Sequence, residues 1–263
     1  MSLATCTSPT TTTDHLADLK ADVWDLPANA VIDLADSGLT IRITDGPNAY
    51  MQYKDVFVHG IYRFRSDNPS PVIIDGGGNM GISVLGFKTD HPQSTVTVFE
   101  PDPSIATLLR ENLTRNGMAA GVRVVEAGLA GETGTVTFAA DASAGGQVTE
   151  SNANTTIDVV QLSDFIDGEV DFVKLNIEGQ ELPVLRDLEA SGAIKKIKRI
   201  VLEYHGWAGG DQCLGDILNL LARNGFRYLV HDFDRETCTT SKPPFRYRPK
   251  AHWFCLVYGE RVG

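Results

Sequence analysis

The chain has 263 residues, 42% of them hydrophobic, with 34 acidic against 23 basic side chains and a formal charge of -11. That is enough apolar material for one sizeable core, and an acidic balance without any Lys/Arg run argues against a nucleic-acid backbone or an anionic membrane surface as partner. Cys6, Cys213, Cys238 and Cys255 have no C-x-x-C spacing, so neither a zinc knuckle nor a disulfide framework is indicated and a reducing, cytoplasmic setting is expected.

Residues 1–14 are rich in Thr, Ser and Pro and poor in aliphatics, a composition expected to stay disordered. They carry neither the basic nor the apolar region of a signal peptide, and no apolar run in the chain is long enough to span a membrane. Residues 15–69 are expected to form an N-terminal cap over the ligand cleft of a main domain at 70–263. DHLADLKADVWDL reads as a short helix, and AVIDLADSGLTIRITD as two strands around a turn at Asp36-Ser37-Gly38. MQYKDVFVHGIYRF is apolar and aromatic at mixed spacing.

From Pro71 onward, short β-rich runs alternate with helical stretches, the pattern of βαβ units and a parallel sheet. VIID is a strand that enters a glycine loop, and GISVLGFKTD opens a helix. TVTVFE is the next strand. PSIATLLRENLTRNG is a helix with proline at its start and glycine past its end. VRVVEAGL is a third strand, and GETGTVTFAA is expected to add a strand to the edge of the sheet. The small, polar stretch at 143–156 has the length of a functional loop. VDFVKLNIEG and IKRIVLEYHG are further strands, each followed by a helix, ELPVLRDLEASG and CLGDILNLLARNG. FRYLVHDFD and HWFCLVYGE close the pattern.

The chemistry begins at PVIIDGGGNMGISVLG, residues 71–86. Gly76, Gly78 and Gly81 satisfy the dinucleotide pattern G-x-G-x-x-G, in which backbone amides at a helix N-terminus hold a pyrophosphate. Asp75 at the strand end would repel that phosphate and favour a ligand bearing ammonium or sulfonium charge. S-adenosylmethionine carries both cations and no phosphate. The plainer alternative is a tight turn with an aspartate capping the helix. Glu100, about twenty residues on, fits a ribose acceptor for either cofactor, so at this point both remain open.

VIIDGGGNMGISVL, VFEPDPSIATLLRENLTRNG, TTIDVVQLSDFI, DFVKLNIEGQELPVLRDL and VLEYH, in that order over about residues 71–205, resemble the FkbM family of S-adenosylmethionine-dependent methyltransferases. The resemblance implies a class I methyltransferase fold: an α/β, Rossmann-like, doubly wound and mostly parallel seven-stranded sheet with an antiparallel last strand. It implies O-methylation of a hydroxyl on a small natural product, sugar or glycolipid. Carried across, Asp75, Gly76, Gly77, Asn79 and Gly81 would line the methionine end of the cofactor. Glu100 would take the ribose hydroxyls, Pro101 and Asp102 the adenine side, and Glu126-Ala127-Gly128 the adenine ring. Asn176 stands where many members carry aspartate; it can hold the cofactor's amino group or the substrate but cannot act as a base.

Alkylating a hydroxyl requires alignment and removal of a proton. His205 beside Glu203 is the first candidate base and Glu178 the second. Against these stand structural roles: a hydrogen-bonded histidine at a strand end, and a helix-capping glutamate. Glu178, Glu203 and His205 could instead hold a divalent ion, although a metal is not predicted. Trp207, Tyr247 and Trp253 could wall an acceptor or belong to the core, and KPPFRYRPK could meet an acidic group or be a solvated loop. Two rival functions remain: an NAD(P)-dependent oxidoreductase, for which no Tyr-x-x-x-Lys pair is found, and a non-catalytic cofactor-binding module.

Overall fold

The computed structural model describes residues 13–34, 36–139, 147–148, 155–206, 212–231 and 253–262. Helix α1 (Thr13–Val23) begins within the segment expected to be a tail; residues 1–12 lie outside the described ones. Strands β1 (Val31–Leu34) and β2 (Leu39–Arg42) pair antiparallel, with Leu34 opposite Leu39 across the anticipated turn. Asp45 then caps α2 (Gly46–Tyr53), accepting from the Asn48 amide at 2.8 Å, with Pro47 in the first turn. The mixed spacing that followed in the sequence is a π-helical turn, Lys54–His59, which Gly60 ends at φ 63.

The main sheet has the strand order β12-β13-β11-β10-β3-β4-β5. Its strands are β3 (Val72–Gly76), β4 (Thr95–Phe99), β5 (Val122–Val125), β10 (Phe172–Leu175), β11 (Arg199–Gly206), β12 (Phe226–His231) and β13 (Trp253–Arg261). Six run parallel; β13 lies antiparallel between β11 and β12, as the resemblance implied. Helices α3 (Ile82–Asp90), α4 (Pro103–Arg115), α5 (Glu181–Ala190) and α6 (Leu214–Arg223) cover the two faces. Consecutive sheet residues divide between two cores. Ile73, Phe172, Val201 and Leu256 pack with α3, α4 and the N-terminal hairpin. Ile74, Val173, Leu202 and Val257 pack with α5 and α6. This two-sided burial explains why these strands read as continuous apolar runs.

One expectation is corrected. GETGTVTFAA does not extend the main sheet: β7 (Gly134–Ala139) belongs to a second, four-stranded sheet of order β6-β9-β7-β8, with β6 (Gly128–Leu129), β8 (Gln147–Val148) and β9 (Thr155–Val160). β7 pairs antiparallel with β9 over five residue pairs, so its ladder is satisfied there rather than on β5. Of the 143–156 stretch, β8 and the start of β9 are described. Trp207, Tyr247, KPPFRYRPK, Cys6 and Cys238 lie outside the described residues. Among the described residues no helix is long and apolar enough to cross a membrane.

The N-terminal hairpin is tied to α4 by two side-chain amides. Asn112 accepts from the Arg42 amide at 2.7 Å and donates to the Arg42 carbonyl at 2.8 Å. Asn116 does the same for Thr40, at 3.0 and 2.8 Å. Residues four apart on a helix advance ~6 Å and residues two apart on a strand ~6.7 Å. The two asparagines therefore satisfy the outer edge of β2 much as a third strand would.

Candidate active site

The glycine loop is shaped by its own neighbours. The Gly77 and Gly78 amides both donate to the Phe99 carbonyl, at 3.1 and 2.9 Å, holding the loop against the end of β4. Gly77 has φ 85, and a Cβ there would lie 2.0 Å from the Asn176 carbonyl oxygen on the β10 side. Gly81, at φ 93, opens α3. The loop is thus wedged between the carboxyl ends of β4 and β10, at the edge where open α/β sheets bind ligands.

Asp75 departs from the expectation set for it. It is fully buried, its Oδ1 is 2.9 Å from Lys174 Nζ, and its Oδ2 accepts from Ser83 Oγ at 2.5 Å. Asp75 and Lys174 are register partners on adjacent parallel strands. The same ammonium donates to the Gly76 and Gly77 carbonyls at 3.1 and 2.6 Å. The Asp75 charge is therefore matched inside the protein by Lys174. The cause is the lysine in an otherwise apolar, buried strand, which requires a counter-charge.

Glu100 is buried just past β4. Its two oxygens accept from the Asn79 and Asp102 amides, at 2.8 and 3.0 Å. Burial, only partly offset by these hydrogen bonds, raises its carboxyl to about 7. Asn79, at φ 45, accepts at Oδ1 from Gln52 of α2 at 3.1 Å. Pro101 leads into Asp102, whose side chain accepts from the Ser104 and Ile105 amides and so caps α4. Ala127 is buried, but Glu126 is directed to an exposed ion pair with Arg110 on α4 and stands apart from the glycine loop's hydrogen bonds.

A second cluster lies at the ends of β10 and β11. Asn176 donates from Nδ2 to Glu203 Oε2 at 3.2 Å, while its Oδ1 is buried with no hydrogen-bond partner. Glu178 occupies the left-handed region at φ 55, a conformation costing a non-glycine residue ~1 kcal/mol or more. Its Oε2 lies 3.7 Å from His205 Nε2 and accepts no hydrogen bond. Glu203 Oε1 is 3.5 Å from the same imidazole nitrogen. Burial raises the Glu178 carboxyl to about 7, with His205 pulling the other way. Burial alone would lower the His205 imidazole, but its hydrogen bond with Glu203 and the charges of Glu178, Glu203 and Glu181 outweigh it and hold the group at about 9. The ring expected to accept a proton is thus an imidazolium at neutral pH. Glu181, also buried and raised by burial, accepts from the Ile177 amide at 3.1 Å.

Glu178, Glu203 and His205 meet as an ion-paired cluster; among the described residues no group of His, Cys, Asp and Glu is arranged to hold a metal ion. Trp253 packs on Tyr204, in the core beneath. Three residues were not anticipated: Lys174, Gln52, and Tyr62, whose hydroxyl is 3.4 Å from Glu203 Oε2. Only Lys174 had a signal in the sequence, as a charge within VKL. Gly77, Asn79, Glu100 and Asn176 are the residues at this edge that could hold a cofactor, and Glu178 is the carboxyl that burial raises to about 7.

Comparison with known proteins places the chain in a family. Residues 79–228 match the family model described as the methyltransferase FkbM domain. A 31-O-demethyl-FK506 methyltransferase FkbM of Streptomyces tacrolimicus is 26% identical over 230 residues, covering 72% of this chain and 86% of that protein. Methyltransferase sdnD of Sordaria araneosa is 33% identical over 84 residues, and the matched stretch spans only 32% of that protein. Methyltransferase 1 of Beauveria bassiana is 28% identical over 166 residues, 66% of its length. Among solved structures, methyltransferase FkbM from Methylobacillus flagellatus KT aligns with TM-score 0.50 at 21% identity, over 79% of this chain and 47% of that one. The delta-N METTL16 MTase domain aligns with TM-score 0.50 at 13% identity, over 95% and 99%. The two structures share the fold.

Proposed function

The chain belongs to the FkbM methyltransferase family, and from that premise we propose that it is an S-adenosylmethionine-dependent O-methyltransferase acting on a hydroxyl of a small natural product, sugar or glycolipid in the cytoplasm. The observation that carries this reading is a pair of buried polar groups at the sheet's carboxyl edge: the Asn176 Oδ1 without a partner and the Glu100 carboxyl beside the glycine loop. Asn176 would accept from the amino group of the cofactor, Glu100 from its ribose hydroxyls, and Gly77 would let the backbone approach. Bound there, S-adenosylmethionine supplies a methyl group on a sulfonium, transferable to a hydroxyl oxygen. Glu178 receives the hydroxyl proton at Oε2, the oxygen that accepts no hydrogen bond. His205, as imidazolium, and Glu203 hold the charge of the cluster steady around it. Residues 15–69 act as a cap over a methyltransferase domain at 70–263.

The name of the Streptomyces tacrolimicus relative, a 31-O-demethyl-FK506 methyltransferase, supports an oxygen acceptor. Calorimetric titration with S-adenosylmethionine, S-adenosylhomocysteine and NAD tests the cofactor assignment. Micromolar binding of the two adenosyl compounds is expected. Binding of NAD alone would return the function to an oxidoreductase. Cofactor binding without methyl transfer to any member of a hydroxyl-acceptor panel would point to a binding module.

A further inference from the structure

We propose that Tyr62, from the segment that precedes the sheet, is a positioning residue of this site: it clamps Glu203 through Oε2 so that Oε1 stays turned to His205. The proposal rests on the methyltransferase reading of the Glu178–Glu203–His205 cluster. Tyr62 is 8% exposed, and its hydroxyl reaches Glu203 Oε2 at 3.4 Å. Asn176 Nδ2 reaches the same oxygen at 3.2 Å, while His205 Nε2 stands 3.5 Å from the other. Two neutral donors on one oxygen and a cation on the other leave the carboxylate a single orientation.

The ring is itself located. Lys174 Nζ stands 5.5 Å from its centroid, and that ammonium is fixed by Asp75. The charged groups acting on Tyr62 are Glu203 on β11, Asp75 on β3, Asp55 on the π-helical turn and Lys174 on β10. Those around Glu203 are His205, Glu178 and Tyr258. Burial, followed by the Glu203 charge, holds the Tyr62 hydroxyl well above its ordinary value, so it remains a donor throughout the working range. The N-terminal segment thus supplies part of the catalytic geometry in addition to covering it.

Tyr62→Phe tests this, because it keeps the ring over Lys174 and removes only the donor. With Glu203 released, the hydrogen bond that holds up His205 weakens. The imidazole, followed by NMR, should titrate at least half a unit below its wild-type value, as for loss of ~0.7 kcal/mol. In turnover assays kcat should fall about tenfold with KM for S-adenosylmethionine unchanged, the size expected for one hydrogen bond to a charged group. If Tyr62→Phe is poorly folded, 3-fluorotyrosine at position 62 keeps shape and donor while changing the strength of its bond to Glu203, and should shift the His205 titration. An unmoved His205 titration in whichever protein folds overturns the proposal. Absence of cofactor binding and turnover in the wild type would overturn the methyltransferase reading instead, while the NMR titration still judges Tyr62.

Discussion

Replacing Lys174 by methionine separates the two roles that Asp75 could have. The pair is almost wholly buried, with side-chain exposures of 3% and 0%, and its charges are 2.9 Å apart. At an effective dielectric of about 20 the gross attraction is ~6 kcal/mol, much of which offsets desolvation of the two ions. Removing one partner leaves the other charge buried and unmatched, a change worth ~3–5 kcal/mol. Lys174→Met also strips the ammonium from the Gly76 and Gly77 carbonyls. With a slope of ~2–3 kcal/mol per molar urea, the unfolding midpoint should drop by ~1–2 M. The companion Asp75→Asn, Lys174→Met double variant removes both charges and should recover most of the loss, a coupling of ~2 kcal/mol or more. Urea titration followed by circular dichroism at pH 7 measures all four corners of the cycle. A Lys174→Met loss below ~1 kcal/mol, or additive single and double losses, would refute the internal ion pair. An affinity loss for S-adenosylmethionine confined to the Asp75 variants would return that carboxylate to the ligand.

Glu178→Gln should lower kcat by ~10²-fold or more while leaving the affinity for S-adenosylmethionine near wild type, and the acidic limb of the pH–rate profile near 7 should disappear with it. Stability should depend on pH through His205: the folded protein keeps this proton up to about 9, whereas the unfolded chain releases it near the ordinary imidazole value of 6.5. Its contribution is therefore complete below 6.5 and lost as pH rises through 9. Urea midpoints between those limits should fall, with a shallower slope in His205→Gln. Asn112→Ala orphans the Arg42 amide and carbonyl and releases the Met80 carbonyl of the glycine loop, costing ~2–4 kcal/mol, readable in the same unfolding assay and as faster hydrogen exchange at Arg42.

The main sheet was legible because buried parallel strands announce themselves as apolar runs between helices, and the ordered motifs placed β13 antiparallel. β7 was misplaced because its partner, β9, follows the 140–154 stretch, and no local pattern says whether such a strand completes an existing edge or begins a new sheet. The glycine loop, Glu100, Asn176, Glu178, Glu203 and His205 were singled out from sequence as candidates; the burial and contacts that set their charge were not legible there. Burial and three neighbouring carboxylates set the imidazole of His205, and none of that is visible along the chain. Lys174 could have been found, since a lysine within VKL needs a counter-charge and Asp75 was the acid at the matching strand end. Tyr62 could not, for nothing in its neighbourhood points to a glutamate 141 residues away.

The position of β13 sets an order of events during synthesis. Eight residue pairs join it to β11 and six to β12, yet its residues, 253–261, emerge from the ribosome after both. Until then β11 presents a bare, apolar ladder beside the proposed active-site cluster, and β12 has no partner strand among the described residues. A ribosome stalled before residue 253 would hold a chain with every proposed catalytic side chain made and an open sheet edge, a natural substrate for chaperones and a template for aggregation.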